Sequence, residues 1–286
     1  MTRLAILGSD SSHVEAFTKL IHFGPFQKEA KVVSIYGDDR SQAESKAKEL
    51  SIEKVCTSID DAIASVDAVL VLGRFPESHF RLAQKPIEKG LPTFIDKPFV
   101  SSLKDADTLI ELSKKNNTPV MSASAYRFST PVNEFRKLVE ESKFSSGVMT
   151  GPRECNDLGP DPRFKDLFFY GIHLVEAHLQ IFGDGITKIV SSSSDRGTFV
   201  SLTYSNGFHC ALNFLSGLPG EFYHAIAYGA PPVEKTFYLD KEEDLYEKEV
   251  SAILKFFQTR TSPISLESSR RAVEIIEEIK KAEAKS

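Results

Sequence analysis

The first 122 residues alternate short apolar runs with segments of helical length, and that alternation admits few folds. Residues 4–7 are wholly apolar and close on Gly8; residues 31–36, 68–72, 93–95 and 119–122 read as further strands, with a short one at Cys56-Thr57. Between them lie apolar patterns of helical period over 13–22, 41–50, 78–89 and 103–116, and a brief helix opening at Ser58. Gly90 supplies a glycine stop after the third long helix. Strands separated by helices pair in parallel, with helices on both faces of a doubly wound sheet.

The pattern changes after about residue 122. A helix over 131–141 is followed by a polar stretch that includes Gly159-Pro160-Asp161-Pro162, then a helix over 168–182. Strands over 198–204 and 208–214 flank Asn206-Gly207, a hairpin signal in which both turn positions favour positive φ. Residues 221–228 and 235–239 read as further strands, and 244–258 and 266–284 as closing helices. The expected architecture is an α/β domain over 1–122, with a parallel sheet, and an α+β domain over 123–286, with a predominantly antiparallel open sheet. The C-terminal helix is expected to pack back on the first domain.

A formal charge of −5 disfavours nucleic acid and anionic membrane surfaces as partners. The three cysteines, Cys56, Cys155 and Cys210, are far apart and odd in number, so neither a disulfide framework nor a zinc knuckle is expected. The N-terminus reads straight into a strand, and no apolar window has the length of a membrane span. A cytoplasmic protein is expected.

Gly8-Ser9-Asp10-Ser11-Ser12-His13 stands where a dinucleotide-binding turn would carry G-x-G-x-x-G. Only the first glycine is present. Asp10 holds the second position, where a carboxylate would face phosphate, and His13 the third. The small, hydrogen-bonding Ser9, Ser11 and Ser12 and the helix N-terminus behind them still suit an anion. Gly8 equally serves as a plain strand-to-helix turn, with Ser11 or Ser12 as N-cap. After the second strand, Asp38 suits a ribose diol and Arg40 a 2′-phosphate, so NAD and NADP both remain open.

Proton-transfer chemistry is suggested further along. Lys97 ends the apolar strand of Phe94-Ile95-Asp96-Lys97-Pro98, and His173 and Glu176 lie three apart on one helix. A lysine, a histidine and an acid of this kind suit oxidation of a hydroxyl. A metal held by His173, Glu176 and His209 is conceivable, but that spacing is not diagnostic, and no metal is expected.

In their order, these segments resemble the Gfo/Idh/MocA oxidoreductases. Residues 90–98 are similar to the family's G-K-x-V-x-x-E-K-P, with Asp96 for glutamate. His79 matches the histidine of T-P-N-x-x-H, and residues 126–131 match R-F-x-P. Residues 171–176 are similar to G-x-H-x-x-D, with Glu176 for aspartate, and residues 264–274 resemble the entry of its C-terminal helix. The resemblance implies an NAD- or NADP-dependent enzyme acting on a sugar, polyol or related carbonyl. Lys97 and His173 would share proton transfer, and Glu176 would orient the imidazole or bind a second hydroxyl. His79 and Asp96 join the fingerprint residues as cofactor-binding candidates, with Arg74, a cation where the family has T-P-N. Arg74 could instead form a surface salt bridge. Arg127, with Arg153 and Asn156 of the polar stretch, are candidates for binding substrate. The family's open sheet implies a homodimer or homotetramer. A lyase or epimerase reusing the same acid/base groups, and a non-catalytic relative, are the alternatives.

Overall fold

In the computed structural model, strands β1 (Thr2–Leu7), β2 (Ala30–Tyr36), β3 (Lys54–Val55), β4 (Ala68–Val71), β5 (Thr93–Ile95) and β6 (Val120–Ser122) pair in parallel in the order β3-β2-β1-β4-β5-β6. The order reverses between β1 and β4, the position at which open α/β sheets bind ligands. β4 is buried at every residue, which explains its unbroken apolar run. Helices α1 (Ser12–His22), α2 (Arg40–Leu50), α3 (Ile59–Ala62), α4 (Pro76–Glu88) and α5 (Leu103–Asn116) connect the strands. Each of α1, α2, α3 and α5 starts at a Ser or Asp whose side chain accepts a first-turn N–H.

The structure describes residues 1–141, 143–154, 159–218, 222–229, 231–238 and 242–283, with the backbone alone over 234–238. The chain divides into two units: Met1–Ala123 with Tyr246–Arg270, and Ser124–Leu245 with Arg271–Ser286. The second domain is therefore not one stretch from residue 123 onward. Much of α8 (Leu245–Thr259) belongs with the parallel sheet and buries Val250, Ile253, Leu254 and Phe256.

The second unit holds α6 (Thr130–Glu141) and α7 (Ile172–Phe182), a sheet in the order β12-β11-β7-β10-β9-β8, and most of α9 (Leu266–Glu283). Its strands are β7 (Ser146–Pro152), β8 (Ile186–Ser194), β9 (Gly197–Tyr204), β10 (His209–Leu215), β11 (Phe222–Tyr228) and β12 (Val233–Tyr238). All neighbours are antiparallel except β7 and β10. β7 lies inside what reads in sequence as a polar connection. It is hidden there because Gly147 and Gly151 stand at core-facing positions. A Cβ on Gly147 would lie 2.9 Å from the Phe182 ring, and one on Gly151 2.7 Å from the Tyr223 ring. The glycines thus make room for large neighbours.

Two local expectations differ from the structure. The hairpin after β9 has positive φ at Gly207 (+84°) and not at Asn206, and Tyr204 N–H donates to Phe208 O at 2.9 Å. It is a three-residue loop with a left-handed glycine, not a two-residue turn. The helix expected from residue 168 begins at Ile172, because residues before it form turns, with Phe169 N–H on Asp166 O.

Candidate functional site

The turn after β1 is built on a close approach of two loops. Gly8 has φ +99°, and a Cβ there would lie 2.5 Å from Gly73 N, so the position accepts only glycine. Ser11 caps α1 by accepting from His13 N–H at 3.1 Å. Ser9 is buried and donates to Gln42 Oε1 at 3.1 Å, while Ser12 is exposed on the first turn. Asp10 meets a definite partner: its Oδ1 accepts Arg74 N–H at 2.9 Å, and Arg74 Nε donates to Asp10 O at 2.6 Å. The carboxylate at the second fingerprint position is thereby engaged by the loop after β4. Arg74 is half-buried and serves that loop contact.

His13 is buried, 2.7 Å from Asp96 Oδ2 through Nδ1 and 3.2 Å from the Tyr246 hydroxyl through Nε2. Its ring stacks on Phe17 at 5.2 Å. Burial pushes the Asp96 carboxyl upward, but the charge and hydrogen bond of His13, with the charges of Lys97 and His79, outweigh it and hold Asp96 below the ordinary carboxylate value. Burial, reinforced by the negative charges of Glu249 and Asp96, pushes the Tyr246 hydroxyl far upward, so it remains protonated. Asp96 Oδ1 also accepts the N–H of half-buried Lys97 at 2.7 Å.

His79 is fully buried, with Nδ1 2.8 Å from Pro98 O and Nε2 2.7 Å from Gly73 O. Both ring nitrogens face backbone, so His79 ties the loop after β4 to the loop after β5 and has no ring atom left for a cofactor. Asp38 is exposed and pairs with Arg81 at 2.5 Å, while Arg40 pairs with Glu44 at 2.8 Å. Both pairs are solvent-screened and can open for a ligand at small cost.

In the second unit, Ser124 N-caps a 3-10 turn over Ala125–Phe128 and lies 2.7 Å from His173 Nδ1. Both residues are buried. Tyr126 and Tyr170 meet the imidazole edge to face at 5.7 and 5.1 Å. Glu176 does not occupy the place the sequence suggested, because its Oε2 accepts Arg127 Nε in a buried ion pair. The pair is nearly dry, and among the described residues Arg127 Nη2 and Glu176 Oε1 have no hydrogen-bond partner. Arg153 pairs with Glu283 at 3.1 Å. Asn156 lies outside the described residues, as does Cys155. His209 is exposed on β10, and among the described residues no group of three His, Cys, Asp or Glu is placed to hold a metal ion.

His178, two residues beyond Glu176 on the same helix, is structural. Its Nε2 lies 2.6 Å from the Tyr204 hydroxyl and its Nδ1 3.6 Å from Cys210 Sγ. Burial lowers its pKa to about 3, so the ring is neutral. Burial also raises the Cys210 thiol strongly and the Cys56 thiol to about 11, which leaves both inert at neutral pH.

Residues 3–124 match the model of an oxidoreductase family with an NAD-binding Rossmann fold. That family is the Gfo/Idh/MocA oxidoreductases, and the match is confined to this stretch. UDP-N-acetylglucosamine 3-dehydrogenase of Acidithiobacillus ferrooxidans is 32% identical over 101 residues, or 34% of this chain and 32% of that protein. That match spans about a third of the relative's length. Its solved structure aligns with 98% of this chain and 97% of its own, at 16% identity and a TM-score of 0.76. Myo-inositol dehydrogenase of Lactobacillus casei, solved with NAD(H) and myo-inositol, aligns with 99% of this chain and 95% of its own, at 13% identity and a TM-score of 0.83. At these identities the structural likeness is one of fold.

Set against the Gfo/Idh/MocA motifs, two departures are each other's partners. His13 replaces the third glycine and Asp96 replaces the glutamate, and the two side chains meet. The other troublesome substitution, Asp10, is met by Arg74. With the tight Gly8 turn and the capped N-terminus of α1, the residues present fit a dinucleotide. Sequence reasoning missed Ser124 and Tyr246. Ser124 carried a weak signal, as a possible N-cap just ahead of Arg127. Tyr246 had none, lying 233 residues from His13.

Proposed function

We propose that this chain is an NAD- or NADP-dependent oxidoreductase acting on a sugar, polyol or related carbonyl. The observation that carries the reading is the engagement of both unfavourable fingerprint side chains, Asp10 by Arg74 and His13 by Asp96, within the first unit. The diphosphate would be held by Gly8, Ser9, Ser11 and Ser12 with the first amides of α1, and a ribose diol by Asp38. A bound nicotinamide supplies the hydride chemistry. From the resemblance, Lys97 in the first unit and His173 in the second are the proton-transfer candidates, and Arg127 with Glu176 braces the helix that carries His173.

A homodimer or homotetramer through the second sheet belongs to the same reading. Val190, Phe199, Leu215 and Tyr228 are exposed on β8, β9, β10 and β11, and an apolar sheet face of this kind favours a second copy. Light scattering at micromolar concentration should give a dimer or larger; a monomer would remove this part. No helix among the described residues is long and apolar enough to cross a membrane.

The test is a steady-state assay of NAD+ and NADP+ reduction over a panel of sugars and polyols, with Lys97→Ala as control. Turnover is expected with one coenzyme, falling at least about 100-fold in the variant. Solvent-deuterium exchange into a substrate without net coenzyme reduction would instead favour a lyase or epimerase.

A further inference from the structure

Ser124 and His173 form a buried pair, and among the described residues Ser124 Oγ has two hydrogen-bond partners. Ser124 Oγ accepts Tyr126 N–H at 3.4 Å and lies 2.7 Å from His173 Nδ1. The residue is fully buried, so its hydroxyl proton cannot reach water. Nδ1 is the acceptor within reach. If Nδ1 carried a proton, Ser124 would have to accept two N–H groups and its own O–H would be stranded in the interior, an arrangement that folded proteins avoid.

We infer that Ser124 is a positioning residue that holds His173 as the Nε2–H tautomer, so that His173 meets a substrate oxygen as a hydrogen-bond donor and not as the proton acceptor. This rests on the oxidoreductase reading for its functional meaning. Nε2–H then polarises or steadies the reacting oxygen, as a neutral imidazole can, and the proton lost on alcohol oxidation goes to a group other than His173. A serine is less committed than a carboxylate would be, because a hydroxyl can donate as well as accept. Here the Tyr126 amide, and the absence of another acceptor for Ser124 Oγ among the described residues, remove that freedom. Tyr126 and Tyr170 pack against the imidazole at 5.7 and 5.1 Å.

The experiment is long-range 1H–15N NMR of the full chain labelled with 15N-histidine, at about pH 8.5 where an ordinary imidazole is neutral, with His173→Gln to assign the signals. The expected result is an unprotonated Nδ1 and a protonated Nε2 for His173. Ser124→Ala should move the Nδ1 signal toward the protonated position, and Ser124→Thr should restore the wild-type spectrum. A protonated Nδ1 in the wild type, or a Ser124→Ala spectrum identical to it, would overturn the inference. Should Ser124→Ala fail to fold, the wild type and Ser124→Thr still decide it. Turnover is a separate readout: Ser124→Ala should lower kcat about tenfold at unchanged KM, with rescue by threonine, and an unchanged kcat would overturn the positioning role. If no coenzyme is turned over by any form, the oxidoreductase reading fails while the tautomer result stands on its own.

Discussion

His13 Nδ1 lies 2.7 Å from Asp96 Oδ2, joining the start of α1 to the end of β5. These are two positions at which the chain departs from the family motifs. Neither substitution is harmless alone. A histidine in place of glycine at a helix start needs room and a partner, and a buried aspartate needs a cation or several donors. Together they satisfy each other, and Tyr246 takes the other ring nitrogen.

Removing either partner leaves the other buried and unpaired. Asp96→Asn should cost about 3 kcal/mol of stability at neutral pH. His13→Gly restores the fingerprint glycine yet should also destabilise, by stranding Asp96. Because the folded-state pKa of Asp96 lies below its unfolded value, the pair stabilises above the ordinary carboxylate value of about 3.9. That contribution fades as pH falls through the lower folded value. Denaturant titrations of the wild type and Asp96→Asn should therefore converge as pH drops below about 4; parallel curves would count against the pairing.

His178 gives a second acid dependence, in a different window. Its folded pKa is about 3, set by burial and only partly opposed by the charge of Asp184. The unfolded chain takes up a proton below about pH 6.5 while the folded one does not. Stability should fall by about 1.4 kcal/mol per pH unit between those two values. His178→Asn should lose stability overall and flatten this slope. An unchanged slope in the variant would place the acid sensitivity elsewhere.

The Arg127–Glu176 pair should behave as a buried ion pair. Glu176→Gln or Arg127→Met alone should cost about 3–5 kcal/mol, since each leaves a charge or an amide without its partner. The double variant Arg127→Met/Glu176→Leu should recover much of that loss. A double-mutant cycle by chemical denaturation measures the coupling, and additive losses would show that the two residues act independently.

Gly8→Ala tests the two-loop contact. Positive φ alone costs an alanine on the order of 1–3 kcal/mol, and the methyl would press on Gly73 N at 2.5 Å. Thermal melts should show a clear loss, and nucleotide affinity should fall at least tenfold. Wild-type behaviour in both would mean the turn tolerates a side chain.

The parallel sheet was legible because its strands are buried on both faces and spell themselves as apolar runs, as Ala68–Val71 does. The second sheet was legible where one face is wet, as in β9 and β10. It was hidden in β7, where glycines stand in place of apolar side chains, and in β8, where serines fill both exposed and half-buried positions. The resemblance singled out Lys97 and His173 in order. Their partners were not legible. Glu176 faces Arg127 and not the imidazole, whose Nδ1 meets Ser124. Asp96 and His13 are 83 residues apart, and only the placing of α1 against the end of β5 brings them together. Such pairings follow from register and packing, which a single sequence does not spell out.

The most direct test of the central claim is calorimetric titration of the whole chain with NAD+, NADH, NADP+ and NADPH. The account predicts micromolar binding of one coenzyme pair, retained in Lys97→Ala and lost in Gly8→Ala. Failure of all four to bind a folded protein would contradict it, and would mean that His13, Asp96 and Asp10 mark a site given over to something other than a dinucleotide.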